Sequence, residues 1–375
     1  MRLLVLSHEF PPIGGGGGRV AQDLACGLAA RGHQVTILSA AMDGLPAEET
    51  VGGARLIRLP AQRKNAFAAS LAEMANFDRL AVTRGLALLR QWRPDVIHAH
   101  FAVPAGAAAF LLSRLSGVPY VLTAHLGDVP GAVPEKTEAW FRLLSPLTPP
   151  IWNNAARVIA VSEFTRALAQ KHYRAPMTVI PNGVDFAALP PREPAREIPR
   201  IVFAGRFVET KNPGHLVQAL TRLSSLPWQA TLLGDGPLLE AVRRQVAESG
   251  LAGRFSLPGW VTPAQVLDEF SRSDVLALPS RAEGLSVVGV QALALGLALV
   301  LGAAGGNLEL VQDGQNGFLF PPGDVDALTD ALRRLLTDPA ALKSVQRRSR
   351  ALAQKFDLNA IVTQYEAVLS DVSGQ

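Results

Sequence analysis

The chain has little of several things, and each shortage excludes something. It holds one cysteine in 375 residues, so no intramolecular disulfide framework is open to it, and a lone thiol fits a reducing cytosol. That thiol, Cys26, sits in an Ala/Leu-rich helical stretch and reads as buried and inert. Charged residues are 18% and the formal charge is only +4, too weak a basic balance to argue for nucleic acid as a partner. With 48% hydrophobic residues, a large core is available and wholesale disorder is excluded. No secretory leader is expected: Met1–Ser7 is too short for an apolar core, and His8-Glu9 follows at once. Long apolar runs are scarce too. Leu285–Ala304 imitates a membrane span, but it reads as a buried helix over 286–295, ended by Gly296, and a strand over 298–301.

What is present is alternation. Leu3–Leu6, Val35–Leu38, Val96–His98, Tyr120–Thr123 and Val158–Val161 read as buried parallel strands, with helical stretches between them at Val20–Arg31, Ala105–Ser116 and Glu163–His172. A proline- and charge-rich segment, 189–200, interrupts the pattern as a linker. The alternation then restarts with strands at Ile201–Ala204, Ala230–Leu233, Phe255–Leu257, Val275–Leu278 and Ala298–Leu301. Helices follow at Pro213–Leu223, Pro237–Ser249 and Pro263–Ser271, then near 325–336, 340–353 and 358–370. This predicts an α/β protein with two Rossmann-like, doubly wound parallel-sheet domains, over 1–188 and 201–357, facing a cleft. The helix at about 358–375 is expected to pack back on the first domain. Ligands in such sheets bind beyond the carboxyl ends of the strands.

The chemistry-bearing words stand where that rule looks for them. The pentaglycine Gly14–Gly18 follows the first strand; no Gly-Lys-Ser/Thr closes it, so it is not a Walker A loop. As a loop near a ligand, it would let backbone approach a phosphate or sugar. Gly205-Arg206 with Lys211 follows the first strand of the second half, where a guanidinium and an ammonium group can neutralise a diphosphate. Strand 275–278 delivers one carboxylate, Glu283, and the start of an apolar helix to one spot; a helix N-terminus attracts phosphate and a carboxylate accepts from hydroxyls. His125 lies just past a strand, able to bond a sugar hydroxyl or carbonyl. His98 and His100 also end a strand, but no carboxylate pair accompanies them, so a metal site is not expected. Asp324-Val325-Asp326 reads as a helix cap rather than a metal–nucleotide motif.

Taken in order, these words resemble a GT-B glycosyltransferase of family 4, the large retaining family, over nearly the whole chain. They are the glycine-rich loop, Thr123-Ala124-His125, Val161-Ser162-Glu163, Pro181-Asn182-Gly183-Val184-Asp185, Gly205-Arg206 with Lys211, Gly234-Asp235-Gly236-Pro237, Pro279-Ser280 and Asn316-Gly317. The family signature is a Glu, seven residues and a second Glu; Glu283 holds the first position and Gln291 stands at the second. The resemblance implies transfer of a hexosyl unit from a nucleotide sugar, a UDP-sugar or GDP-mannose, to a hydroxyl acceptor: a glycan, a lipid-linked sugar or a small metabolite. It implies no cofactor and no metal. It assigns His125, Arg206, Lys211 and Glu283 to catalysis, with Gly15, Gly16, Gly205, Gly284, Leu285, Ser286 and Gln291 added for donor binding. His100 and Asp128 are acceptor-side candidates.

Two other readings compete. The Gln291 departure leaves room for a nucleotide-sugar-binding protein with weakened or lost catalysis. A dinucleotide-dependent oxidoreductase is disfavoured by the glycine spacing and by the lack of a clear acidic residue ending the second strand, Ile37–Ala41. A cytoplasmic location is expected, with peripheral contact to an anionic membrane through the first domain. Residues 1–190 carry 18 Lys/Arg against 13 Asp/Glu, and 191–375 carry 18 against 19. Arg55, Arg58, Arg63 and Lys64 precede an amphipathic segment, Ala66–Trp92, that holds Phe67, Leu71, Met74, Phe77, Leu80, Leu86 and Leu89.

Overall fold

The computed structural model describes residues 1–132, 146–193 and 196–374. The chain divides into two compact units, Met1–Gly183 with Leu358–Gln375, and Val184–Asp357.

In the first unit, β1 (Arg2–Leu6), β2 (Gln34–Ala40), β3 (Glu48–Val51), β4 (Ala54–Leu59), β5 (Val96–His100), β6 (Tyr120–Ala124), β7 (Arg157–Ala160) and β8 (Met177–Val179) form one sheet. The order is β3-β4-β2-β1-β5-β6-β7-β8. Leu3–Leu6 and all of β5 are buried, as a parallel sheet covered on both faces requires. Its described helices include α1 (Gly16–Ala30), α2 (Leu71–Gln91), α3 (Ala107–Ser116), α4 (Thr148–Asn153) and α5 (Glu163–Ala169). The antiparallel pair β3–β4 was not expected; its signal was Gly52-Gly53, both at positive φ in a two-residue turn that closes Val51 on Ala54.

In the second unit, β9 (Arg200–Ala204), β10 (Gln229–Leu233), β11 (Phe255–Gly259), β12 (Val275–Leu278), β13 (Ala298–Gly302) and β14 (Gly317–Phe320) pair in parallel in the order β11-β10-β9-β12-β13-β14. Helices α6 (Pro213–Thr221), α7 (Leu239–Glu248), α8 (Pro263–Ser271), α9 (Val287–Ala294), α10 (Asn307–Leu310), α11 (Val325–Thr337) and α12 (Pro339–Ala353) alternate with them. The last helix, α13 (Leu358–Ser373), belongs to the first unit. Its Glu366 takes Arg31 and His33 at 2.7 and 2.6 Å. Its Val362 lies over Gly27 of α1, where a Cβ would come within 2.6 Å of it.

The strand orders place the switch points. The chain leaves β9 for β10 and β11 on one side, then returns to the other side of β9 with β12. In the first unit β1 is flanked in the same way by β2 and β5. Connections diverge there, and sheets of this kind hold ligands at such points, here the carboxyl ends of β9 and β12, and of β1 and β5.

Two expectations change. Gly16, Gly17 and Gly18 form the first turn of α1 rather than a loop. Of the four cations expected at a membrane face, Arg58 and Arg63 are buried inside the first unit, while Arg55 and Lys64 stay exposed. Arg58 and Arg63 are 5% and 6% exposed. Arg58 pairs with Glu49 at 2.5 Å. Arg63 donates to the carbonyls of His8, Asn65 and Ala66 at 3.2, 3.0 and 3.1 Å, and Arg55 pairs with Glu48 at 2.5 Å. Phe77 and Leu89 of α2 are buried in the core, and Leu80 and Leu86 pack against it. Phe67 and Leu71 are left exposed. Among the described residues no helix is long and apolar enough to cross a membrane.

Candidate active site

In the second unit, β9 ends at Ala204 and hands the chain to Gly205 and the exposed Arg206. The loop then turns over the buried Phe207 to Thr210, whose carbonyl accepts from Arg281 N at 2.8 Å. That bond ties the segment after β9 to the segment after β12. It sets up the central contact of this unit: Lys211 Nζ donates to Glu283 Oε1 at 2.5 Å. The Glu283 side chain is only 8% exposed, and the ammonium offsets the cost of taking a carboxylate out of water.

The backbone around Glu283 is clamped. Gly306 N donates to Glu283 O at 3.0 Å. A Cβ on Gly305 or Gly306 would come within 1.8 Å of the Glu283 or Gly284 carbonyl oxygen, so no other residue fits there without displacing the acid. Ser286 caps α9, its hydroxyl accepting from Gly289 N at 3.1 Å. The amides of Val287 and Val288, at the start of the helix, have no intrahelical acceptor. Leu285 is buried, so it offers a ligand backbone rather than side chain. Gln291 is half-buried one turn further on, on the face of Val287. At Gly205 a Cβ would find nothing closer than Phe203 at 3.5 Å. Packing therefore does not demand glycine at that position.

In the first unit, a histidine cluster fills the ends of β5 and β6. His98 Nε2 bonds Thr123 Oγ1 at 2.8 Å, and His100 Nδ1 meets His125 Nε2 at 3.1 Å with the rings stacked. His100 Nε2 is buried without a partner. A buried bare lone pair costs less than a buried bare N–H, so His100 carries its proton on Nδ1 and donates to His125. His125 then carries its own proton on Nδ1. Asp128 accepts from His125 N at 3.0 Å and holds the turn. Burial is the main cause that lowers His8 and His125 to a pKa of about 4 and His98 to about 3, and puts His100 well below the ordinary value. These rings are neutral at pH 7. Burial likewise raises Asp128 to about 7, partly offset by the amides it accepts from.

This placement corrects the acceptor-side reading of His100 and Asp128. His100 is fully buried and Asp128 7% exposed, and both bond His125. They are placed to orient it rather than to touch an acceptor. The glycine run also separates into two groups. A Cβ on Gly14 would strike Glu9, and one on Gly17 would come within 2.3 Å of the Phe101 ring, whereas Gly15 faces open space. Gly15 and Gly16 are exposed at the start of α1, and Glu9 Oε2 accepts from Gly15 N at 3.1 Å.

Sequence reasoning passed over four neighbours. His8 and Glu9 follow β1, and Phe101 follows β5 with its ring centroid 4.6 Å from that of His125. Trp260, directly after β11, is 53% exposed, and the last residue of β11 accepts from Gly234 N at 2.9 Å. An aromatic residue immediately past a strand was its available signal. The Asp324-Val325-Asp326 word does cap a helix, Asp324 Oδ1 accepting from Ala327 N at 2.9 Å, and Asp326 pairs with Arg222. Among the described residues no three His, Cys, Asp or Glu side chains converge as metal ligands.

Two doubly wound parallel units, each with polar groups gathered at the carboxyl ends beside a switch point, define the GT-B class of glycosyltransferase. The chain belongs to glycosyltransferase family 4: residues 14–188 match the model Glycosyltransferase Family 4, and residues 198–338 match Glycosyl transferases group 1. It is 32% identical to the glycogen synthase of Mycobacterium tuberculosis over 397 residues, covering 97% of this chain and 93% of that one. Its fold matches that of sucrose-phosphate synthase from Thermosynechococcus elongatus with a TM-score of 0.86 at 24% identity, over 98% of both chains. It also matches Anabaena HepE in complex with UDP, with a TM-score of 0.79 at 22% identity, over 99% of this chain and 100% of that one.

Proposed function

We propose that this glycosyltransferase moves a hexosyl unit from a nucleoside-diphosphate sugar to a hydroxyl acceptor, with retention of anomeric configuration and without a metal ion. The observation that carries the proposal is the Lys211–Glu283 contact at 2.5 Å beside the first turn of α9. A cation, a carboxylate and unpaired amides meet there at a switch point, the place where α/β sheets hold phosphorylated ligands. A diphosphate arriving there competes for Lys211. With Arg206 and the α9 amides it then has counter-charge for the negative charge that develops as the bond from the anomeric carbon to phosphate oxygen breaks. Glu283, released from Lys211, accepts a hydrogen bond from a donor-sugar hydroxyl. The acceptor oxygen bonds the anomeric carbon on the face the phosphate leaves, and its proton passes to the departing phosphate. No enzymic nucleophile is needed.

The remaining roles follow chemistry. Gly15, Gly16 and Gly205 admit the donor backbone-first. Gln291 and the backbone of Gly284–Ser286 bind donor hydroxyls and phosphate. His125 offers its Nδ1–H to a sugar oxygen, held in that tautomer by His100. Trp260 offers a ring face for the base. The likeness to a glycogen synthase favours a glycan acceptor, and the UDP complex of HepE favours a uridine donor. The single cysteine fits a cytoplasmic location. With Arg58 and Arg63 turned inward, we expect no flotation with anionic liposomes at low salt; flotation would bring a lipid-linked acceptor forward.

The test is a nucleotide-sugar panel scored by thermal shift, since a ligand specific to the native state raises stability by mass action. NMR of the product from the best donor then reads the anomeric configuration. An inverted product overturns retention, and a panel without shifts overturns the donor site. Gln291, an amide where the family signature has a carboxylate, favours one second reading, donor binding without catalysis. A shift without transfer or hydrolysis supports that reading.

A further inference from the structure

A second concentration of charge lies in the same unit at the amino ends of its strands, at the opposite end of the sheet from Lys211 and Glu283. Asp274, just before β12, and Gly296, just before β13, line a cavity of about 490 Å³ with Arg192, Glu193 and part of α12. From that helix Lys343, Arg347 and Arg350 reach the cavity at spacings of four and three residues, which puts them on one face. All three are exposed, and none of their side chains makes a hydrogen bond or ion pair with a described residue.

The acids of the lining are already engaged. Asp274 accepts from Arg200 N at 2.9 Å, Gln346 Nε2 at 3.2 Å and Arg192 Nη2 at 3.5 Å. Glu193 takes Arg196 at 2.7 Å. Arg192 is fixed by a second bond, to the carbonyl of Phe270 at 3.1 Å, and its side chain is 18% exposed. Burial lowers the Arg192 pKa below its ordinary value, Asp274 opposes that shift and the charge of Arg350 adds to it. The two guanidinium groups thus repel one another across the cavity, and no free carboxylate among the described lining residues relieves them. An anion between them would.

We infer that this cavity is a second ligand site, for a phosphomonoester or diphosphate anion gripped between Arg192 and the Lys343–Arg347–Arg350 face of α12. Its volume falls in the range of small-molecule pockets. Guanidinium groups match phosphate oxygens in geometry as well as charge. The inference does not rest on the donor-site reading, and the test separates the two.

Pyrophosphate and glucose 6-phosphate are titrated calorimetrically into the parent protein, an Arg206→Ala/Lys211→Ala variant, and the same variant carrying Lys343→Gln, Arg347→Gln and Arg350→Gln. The three added positions are exposed, so the fold is not at stake, and circular dichroism melts verify it. Binding is expected to persist in the first variant and to weaken roughly tenfold or more in the second. Loss already in the first variant, or no further weakening in the second, overturns the site. A vesicle arm identifies the source of the phosphate. Flotation with phosphatidic-acid vesicles that pyrophosphate competes away, and that the α12 substitutions abolish, assigns a lipid headgroup. Binding of the free probes without flotation assigns a soluble phosphorylated metabolite.

Discussion

Lys211 and Glu283 hold each other at 2.5 Å, which gives their substitutions different signatures. Arg206 is exposed, so Arg206→Ala is expected to lower kcat/KM by roughly 10²–10³ with little change in Tm. Lys211→Ala should cost as much turnover, and it also strands a buried carboxylate, so its Tm falls measurably. Adding Glu283→Gln to Lys211→Ala removes the stranded charge; Tm should recover while turnover stays low. Melts and steady-state kinetics on the four proteins check this, and an unchanged Tm in Lys211→Ala would break the argument. Gln291→Glu should keep the fold and tighten nucleotide binding by about 1 kcal/mol, the worth of one charge-assisted bond. Weaker nucleotide binding by titration would mean that the amide is tuned to this site.

Among elements, α1 begins with residues that ordinarily oppose helix. It does so because of what its first turn touches. Gly17→Ala would force a Cβ to within 2.3 Å of the Phe101 ring, and a loss of about 1–3 kcal/mol is expected from overpacking. Gly15→Ala meets open space, so its stability should hold while donor binding weakens. Denaturant melts paired with nucleotide titrations distinguish the two; equal stability losses would contradict the division of the run. At the other end of the chain, α13 buries Ile361, Val362, Tyr365 and Leu369. Truncation before Leu358 should therefore lower the Tm of the first unit steeply, or leave it insoluble.

For the molecule as a whole, four buried and two half-buried groups of the first unit set a pH profile. His8 and His125 titrate at about 4, His98 at about 3 and His100 well below its ordinary value, all against 6.5 unfolded. As pH falls below 6.5 the unfolded chain takes up protons that the native state refuses, and stability is lost toward pH 4. Asp128 at about 7, and Asp78 of α2 at about 8 with its Oδ1 buried and unpartnered, act the other way. Their native pKa values lie above the unfolded 3.8, so each removes stability as pH rises to its native pKa. Between pH 4 and 6.5 the four histidines outnumber the two acids and stability rises with pH; above 6.5 only the acids act and it falls. Denaturant melts should therefore show a maximum near pH 6.5. Asp78→Asn should flatten the alkaline decline, and a profile still rising at pH 8 would refute this assignment. Turnover is expected to survive EDTA, because Arg206, Lys211 and the α9 amides supply the positive charge. Complete loss, restored by magnesium or manganese, would show that a metal is needed.

Much of this protein was legible in its sequence for a local reason. Buried parallel strands are short aliphatic runs, helices between them carry caps such as Asp324, and the doubly wound alternation of the two follows from adjacent residues. The candidate site words could be placed as well, because Arg206, Lys211, Glu283 and His125 follow strand ends, which sequence order locates. Which of them touch was decided by the tertiary structure. Lys211 reaches Glu283 only because β12 returns to pair with β9, and His100 reaches His125 only because β5 and β6 are neighbours. Only packing shows that Arg58 and Arg63 face inward, since charge and amphipathic period are the same whether a helix faces a sheet or a lipid. The pentaglycine makes the same point at its smallest scale. Its five residues are identical along the chain, and only the atoms around them separate Gly17, pressed under a phenylalanine ring, from Gly15, which faces open space.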